Sequence, residues 1–457
     1  MNRHWIAIGV LAFAVAACTS VFAQESARLG RPNIVFILAD DLGYGDLGCY
    51  GQGKIRTPRL DAMAAEGMRF TQAYSGSTVC APSRCSLMTG RHSGTSRIGG
   101  NASVPLLPED LTVAEALKGA GYRTALVGKW GLGDAGTTGE PTAQGFDSYY
   151  GYLDQVHAHT YYPATLWRNG VEEAVPGNVE SQRNVATERV TYSHDLFTAE
   201  AAQFVRANKE TPFFLYLAYT IPHANNERHA ALGDGMEVPD YGDYAKENWP
   251  VSQKGHAAMI SRLDRDVGAM LDLLRELGID KNTLVIFSSD NGTHKEGGAD
   301  PAFFKSSGPL RGIKRDLYEG GIRVPAIAWW PGTVAKGVVS NQPWAFWDFL
   351  PTAAELVGAS APGDIDGISI APTLLGQSEQ RQHEYFYWEF HEGDFRQAVR
   401  QGPWKAIRSR KAGTIQLFNL DNDLGEQKNV AADNSDILER LTHILDTSRT
   451  PSEHWPG

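Results

Sequence analysis

The sequence predicts an α/β fold: a large, mostly parallel sheet flanked by helices, followed by a smaller unit of short strands. Three observations carry that expectation. Through most of the chain, apolar β-type runs alternate with stretches of helical periodicity, the pattern of strands covered on both faces by crossover helices. From about Gly363 the pattern changes to short strand-like runs divided by turn residues. The length, 457 residues, is too great for one minimal core and suits a large domain with a small companion.

Taken in order, residues 1–23 read as an export signal, with Arg3 and His4 ahead of the apolar run Trp5 to Ala17. Two processing sites compete there. Val15-Ala16-Ala17-Cys18 looks like a bacterial lipobox that would leave a lipid anchor on Cys18, whereas Val21-Phe22-Ala23 before Gln24 suits ordinary cleavage. Either places the protein in the periplasm or at the cell surface of a bacterium. No later stretch is long and apolar enough to span a membrane, so no transmembrane partner is expected.

Strands are expected at Asn33 to Leu38, Thr124 to Val127, Pro212 to Ala218, Thr283 to Phe287 and Arg323 to Trp330, with Pro325 near the start of the last. Helices are expected at Leu60 to Glu66, Thr112 to Ala120, Ser193 to Asn208 and Ala257 to Leu277. The strand ends are richer than the strands. The first runs into Asp40-Asp41, the second into Lys129, the third into His223 and the fourth into Asp290-Asn291. Ligands gather beyond the carboxyl ends of strands in open α/β sheets. The chain therefore divides into a catalytic unit, 31–376, and a C-terminal unit, 383–447. Short strands at Tyr385 to Glu389, Arg396 to Arg400, Trp404 to Arg408 and Thr414 to Leu420 precede a helix from Ser435 to Leu445.

A net charge of −11 argues against nucleic-acid binding and gives anions no general attraction, so an anionic substrate needs a local cationic pocket. Of the 4 cysteines, Cys18 belongs to the leader; Cys49, Cys80 and Cys85 remain, and an odd number excludes a complete disulfide framework. Cys49 and Cys85 could pair if Cys80 is reserved for other chemistry. Asp40 and Asp41, with Asp290 and Asn291, offer oxygen ligands, which suit a hard divalent cation such as calcium rather than zinc.

The stretch from Cys80 to Ser93 reads CAPSRCSLMTGRHS and puts a thiol at a helix start, with Pro82 in the first turn and Arg84 one turn on. A helix N-terminus favours an anion, so a nucleophile and a sulfate-like group can meet there. The string resembles the C-x-P-S-R, L/M-T-G-R signature of type I sulfatases, in the alkaline phosphatase superfamily. The chain looks like bacterial arylsulfatases and N-acetylgalactosamine-6-sulfatases. The resemblance implies a large mixed, mostly parallel sheet flanked by helices, plus a small C-terminal antiparallel sheet with one helix.

It also implies chemistry. Cys80 becomes formylglycine, made by a formylglycine-generating or an anaerobic maturation enzyme, and its hydrated aldehyde is the nucleophile. Asp40, Asp41, Asp290, Asn291 and the modified Cys80 hold Ca2+, ahead of Mg2+. Arg84 supports the nucleophile, Lys129 and Lys314 bind sulfate, and His223 faces the scissile oxygen. One departure stands out: the family's G-K-W-H-L-G reads Gly128-Lys-Trp-Gly131-Leu-Gly133 here. The imidazole that helps expel sulfate is absent at Gly131, and His157, His159 and His294 are the candidate substitutes. The implied activity is hydrolysis of sulfate monoesters on a sulfated poly- or oligosaccharide, for which Tyr161, Tyr162, Trp167, Trp388, His391 and Arg396 are candidate sugar contacts. A phosphonate or phosphodiester hydrolase of the same superfamily, and a catalytically silent binder of sulfated glycans, are the alternatives.

Overall fold

The computed structural model describes residues 30–457; the leader and Cys18 lie outside them. Its main sheet has 11 strands. From one edge they run Val338–Ser340, Met68–Tyr74, Arg323–Trp329, Thr283–Ser289, Asn33–Ala39, Phe213–Ala218, Arg123–Lys129, Ser148–Tyr152, Thr165–Arg168 and Val171–Ala174, with Trp344–Ala345 also paired to Met68–Tyr74. The centre is parallel, and Arg323–Trp329 joins it antiparallel, which makes the sheet mixed.

The apolar runs are continuous because both faces of the centre are covered. Along Asn33–Ala39, Val35, Ile37 and Ala39 enter one core while Ile34, Phe36 and Leu38 enter the other. The helices Ser193–Asn208 and Val251–Glu276 belong to the first side, and Val113–Gly119 and Phe349–Val357 to the second. Thr112, expected as the first helical residue, instead caps its helix in a capping box with Glu115.

All five expected strands are present, extended or trimmed by one or two residues. Pro325 sits inside its strand at a register shift between Val324 and Ala326, where no ladder bond is required of it. The long helix starts at Val251, six positions before its expected start at Ala257, because Gln253 and His256 are buried and the apolar stripe underreports that end. Cys49 and Cys85 are both free thiols, so the pair considered between them is not formed.

The C-terminal unit is a 4-stranded antiparallel sheet, Phe386–Phe390, Arg396–Gln401, Trp404–Ser409 and Thr414–Asn419, with the helix Ser435–Thr447 on one face. The other face packs on the main unit beside the residues that lead to Cys80. There Trp388 is fully buried against Tyr74 and Trp347 and donates its indole N–H to Ser75 O at 2.9 Å. Trp388 is thus interface core and not a sugar platform, and Tyr161 and Tyr162 are likewise buried. A buried ion cluster locks the same seam. Lys405 Nζ lies 2.8 Å from Glu319 Oε1 and 2.9 Å from Glu426 Oε1, and Arg323 reaches Glu319 at 3.2 Å. Buried charges persist only when paired this closely.

Candidate active site

The site is assembled where neighbouring parallel strands end. Ala39 lies opposite Ser289 in the ladder, so Asp40 and Asp290 leave the sheet side by side. Asp290 N–H donates to Ala39 O at 3.1 Å, which extends the pairing into the site. From the strand Arg123–Lys129, Lys129 Nζ donates to Asp40 Oδ2 at 2.6 Å.

The helix Cys80–Thr89 enters from the side, with every one of its 10 residues buried. No side chain caps it from within, and its start is held from outside: Asn101 Oδ1 accepts the Ala81 N–H at 3.0 Å. Cys80 Sγ then lies 3.3 Å from Asp40 Oδ1. Burial, with Asp40 next to it, pushes the Cys80 thiol well above its ordinary range. The unmodified side chain is therefore a protonated thiol and a poor nucleophile. One turn on, Arg84 sends Nε and Nη2 to Asp290 Oδ2 at 3.0 and 2.8 Å and Nη1 to Lys129 O at 2.7 Å. It thereby ties two strand ends to the nucleophile's helix.

Asp41 has a left-handed backbone, φ 66°, which an aspartate tolerates better than most residues. That turn aims its N–H at Asp290 Oδ1, 3.1 Å away. Its Oδ1 accepts from Asn291 Nδ2 at 2.6 Å, and its Oδ2 from Lys314 Nζ at 2.8 Å. Lys314 also reaches His223 Nε2 at 3.1 Å. His223 Nδ1 is 2.7 Å from Ala224 O, which assigns the ring proton to Nδ1 and leaves Nε2 to accept from Lys314. Burial, then Lys314, hold the imidazole down at about 3, so it is neutral.

Burial opposes charge on Asp40 and Asp41, yet Lys129 at the first and Lys314 at the second overcome it and hold both below the usual carboxylate range. Burial and the nearby Asp40 push Asp290 up to about 7. Lys129 and Lys314 stay charged although burial works against them, because Asp40 and Asp41 face them. Two buried ammonium groups, each paired with a carboxylate, thus stand in the site of a net acidic protein.

The donor set fits a hard divalent cation. Asp40, Asp41, Cys80 and His223 present ligand atoms within 4.8 Å of one another. Asn291 Oδ1 is buried and takes no hydrogen bond among the described residues, so an amide oxygen is left over beside two ionised carboxylates. Asp290 leaves the sheet beside Asp40, with Oδ1 accepting the Asp41 N–H and Oδ2 accepting from Arg84.

Of the candidate imidazoles, His159 reaches the site. Its ring stacks on His223, and its Nδ1 faces Glu227 Oε2 at 3.0 Å. His294 lies on the other side of His223, with Nε2 on Pro222 O and Nδ1 accepting the Glu296 N–H, both at 3.0 Å. His157 is not brought in: it packs edge-on against Tyr152 and lines a separate groove with Trp167 and Arg183. His391 pairs with Glu389, and Arg396 lies over Phe390, so both belong to the C-terminal sheet.

Sequence reasoning missed Glu227 and Glu296. Glu296 lies 3.4 Å from Lys314, in the same loop as Asn291 and His294, and that proximity was its only sequence signal. Burial raises Glu296, but Lys314 and the histidines beside it bring it far below the usual range.

Residues 32–359 match the family model described as Sulfatase, and residues 313–450 match that of the N-sulphoglucosamine sulphohydrolase C-terminal region. The N-acetylgalactosamine-6-sulfatase of Rattus norvegicus is 34% identical over 460 residues, covering 93% of this chain and 81% of its own. Human arylsulfatase A is 35% identical over 408 residues, covering 82% and 74%. The crystal structure of Ps i-CgsB in complex with k-i-k-neocarrahexaose superposes with a TM-score of 0.74 at 31% identity, covering 91% of this chain and 92% of that one. Matches of this extent, on a chain whose strand ends converge as described, place the protein in the formylglycine-dependent sulfatase family, a family of sulfuric ester hydrolases.

Proposed function

We propose that this protein releases sulfate from monoesters on a sulfated poly- or oligosaccharide. The observation that carries the reading is Cys80 Sγ, 3.3 Å from Asp40, flanked by two buried ammonium groups on Asp40 and Asp41. The carbohydrate class is supported by relatives named for a sulfated hexosamine and by a neighbour crystallised with k-i-k-neocarrahexaose.

In this reading, Cys80 is converted by a maturation enzyme, and the hydrated formylglycine supplies the nucleophile. A divalent cation, calcium ahead of magnesium, would be held by Asp40, Asp41, Asp290, Asn291 and the modified Cys80 and would supply Lewis acidity at the sulfate oxygens. The chain's own residues do the rest. Lys129 and Lys314 offset the charge that develops on the transferred sulfuryl group. Arg84 fixes Asp290 and the Lys129 carbonyl, keeping both strand ends in place. The proton for the leaving oxygen comes from the Lys314 ammonium, which the neutral His223 positions at 3.1 Å, since the imidazole's own proton is held on Ala224 O. His159, aligned by Glu227, is the base for the second half of the turnover, the task that Gly131 cannot perform.

Residues 1–23 as an export signal, 31–376 as the catalytic unit and 383–447 as the C-terminal unit complete the reading. Sulfate release from a panel of defined sulfated sugars, beside matched phosphonate monoesters and phosphodiesters, tests it. Sulfate esters should be the faster substrates; preference for a phosphorus ester would overturn the proposal.

A further inference from the structure

Gly131 lies two residues beyond Lys129 and has φ +80°, a conformation that favours glycine. The strand pairing continues past it: Trp130 N–H donates to Tyr152 O and Gly131 N–H to Leu153 O, both at 2.9 Å. The turn after Leu153 is thereby held against the strand end. A Cβ at position 131 would overlap the amide nitrogen of Gln155, so that amide occupies the space the glycine leaves.

Both polar atoms of the Gln155 side chain are buried, and neither has a hydrogen-bond partner among the described residues. A buried amide with donor and acceptor both unmade is costly, and such groups call for a ligand or another specific explanation. Gln155 lines a cavity with Gly131, Leu153, Asn101, Asp134 and Asp154. The same Asn101 holds the N–H of Ala81, next to Cys80, so this cavity adjoins the start of the nucleophile's helix.

We infer that Gln155 is a specificity-determining residue that recognises a free hydroxyl group on the sugar bearing the scissile sulfate. This rests on the sulfate-ester reading above. A carboxamide presents an N–H donor and a C=O acceptor in one plane without charge, which matches a hydroxyl group that accepts and donates. A second sulfate could only accept, and it would also meet Asp134, which lines the same cavity, whereas the Asp154 carboxylate is paired with Arg183. The class selected is therefore a sugar with a hydroxyl, not another sulfate, beside the sulfated carbon. Gln155 has no titrating group, so it takes no part in proton transfer.

The test is steady-state kinetics of wild-type and Gln155→Ala protein on 4-nitrophenyl sulfate, which has no ring hydroxyl, and on monosulfated hexoses and N-acetylhexosamines. Peptide mass confirms the aldehyde at Cys80 in each preparation. For the preferred sugar, the ratio of its kcat/KM to that of the aryl sulfate should fall about tenfold in the variant, mostly through KM. Gln155→Glu, of the same shape, should lower the ratio too and replaces the alanine variant if that one melts early. An unchanged ratio overturns the inference, as does wild-type protein that cleaves the aryl sulfate but no monosulfated sugar. If aldehyde-bearing wild-type protein cleaves neither kind of ester, the sulfate-ester reading itself fails.

Discussion

His159 lies flat on His223, with ring centroids 4.9 Å apart and planes 15° from parallel. Glu227 faces its Nδ1, and Asn184 Nδ2 donates to the same carboxylate at 3.0 Å, so the outer imidazole is held in one orientation. If His159 is the base of the second half-reaction, His159→Ala should lower steady-state kcat about a hundredfold. Rapid mixing with 4-nitrophenyl sulfate should then show a first fast equivalent of nitrophenol followed by slow turnover. Uniform slowing from the first equivalent would contradict this role.

The two ammonium groups make a separate prediction. Lys129→Ala and Lys314→Ala should each cost about 10²–10³ in kcat/KM, the range for losing one preorganised electrostatic donor. Each variant also leaves a buried carboxylate without its nearest cation, so thermal unfolding should shift downward as well. A variant that melts early yet keeps wild-type kcat/KM would show the lysine to be structural only.

Away from the catalytic residues, the seam between the sheets should respond to pH. Burial pushes Glu426 up to about 7 from its ordinary 4.5, with Lys405 opposing and Glu319 reinforcing the shift. Burial would also raise Glu319, but Lys405, Arg323 and Arg400 hold it at about 2. The sign for Glu426 follows: the folded protein binds the proton more tightly than the unfolded chain. Stability should therefore decline as pH rises from about 4.5 towards about 7 and level off above that range. Glu426→Gln should flatten this decline in a series of melting temperatures taken at constant ionic strength. An identical slope in both proteins would remove Glu426 as its source.

Cation binding has its own readout. Calcium should raise the unfolding midpoint of chelator-treated wild-type protein by mass action. Asn291→Ala, which lacks the unpartnered amide oxygen, should show a much smaller rise at the same calcium concentration. Equal shifts in both proteins would exclude Asn291 from the site.

Much of the site was legible because its chemistry directly follows contiguous apolar runs. Asp40 follows Asn33–Ala39, Asp290 follows Thr283–Ser289, and Lys129 ends its own strand, so finding the strands also found the acids and the lysine. Groups delivered by loop packing were not legible in the same way. Glu227 sits in the short helix Asn226–Leu232 and Gln155 in a turn, and neither position has a periodic signal. The strands from Ser148 to Ala174 were missed because the outer ones are short and partly exposed, which breaks the apolar pattern. Aromatic residues misled for the opposite reason: sequence shows that Tyr161 and Trp388 can stack on a sugar, and only packing shows that both are buried.

The most direct test is sulfate release by two proteins from a host that can mature the cysteine, wild type and Cys80→Ala, with the peptide containing residue 80 weighed in each. Wild-type peptide should be lighter by one sulfur and two hydrogens and heavier by one oxygen, with turnover in that preparation alone. Undiminished sulfate release by Cys80→Ala, or by wild-type protein still carrying the thiol, would contradict it.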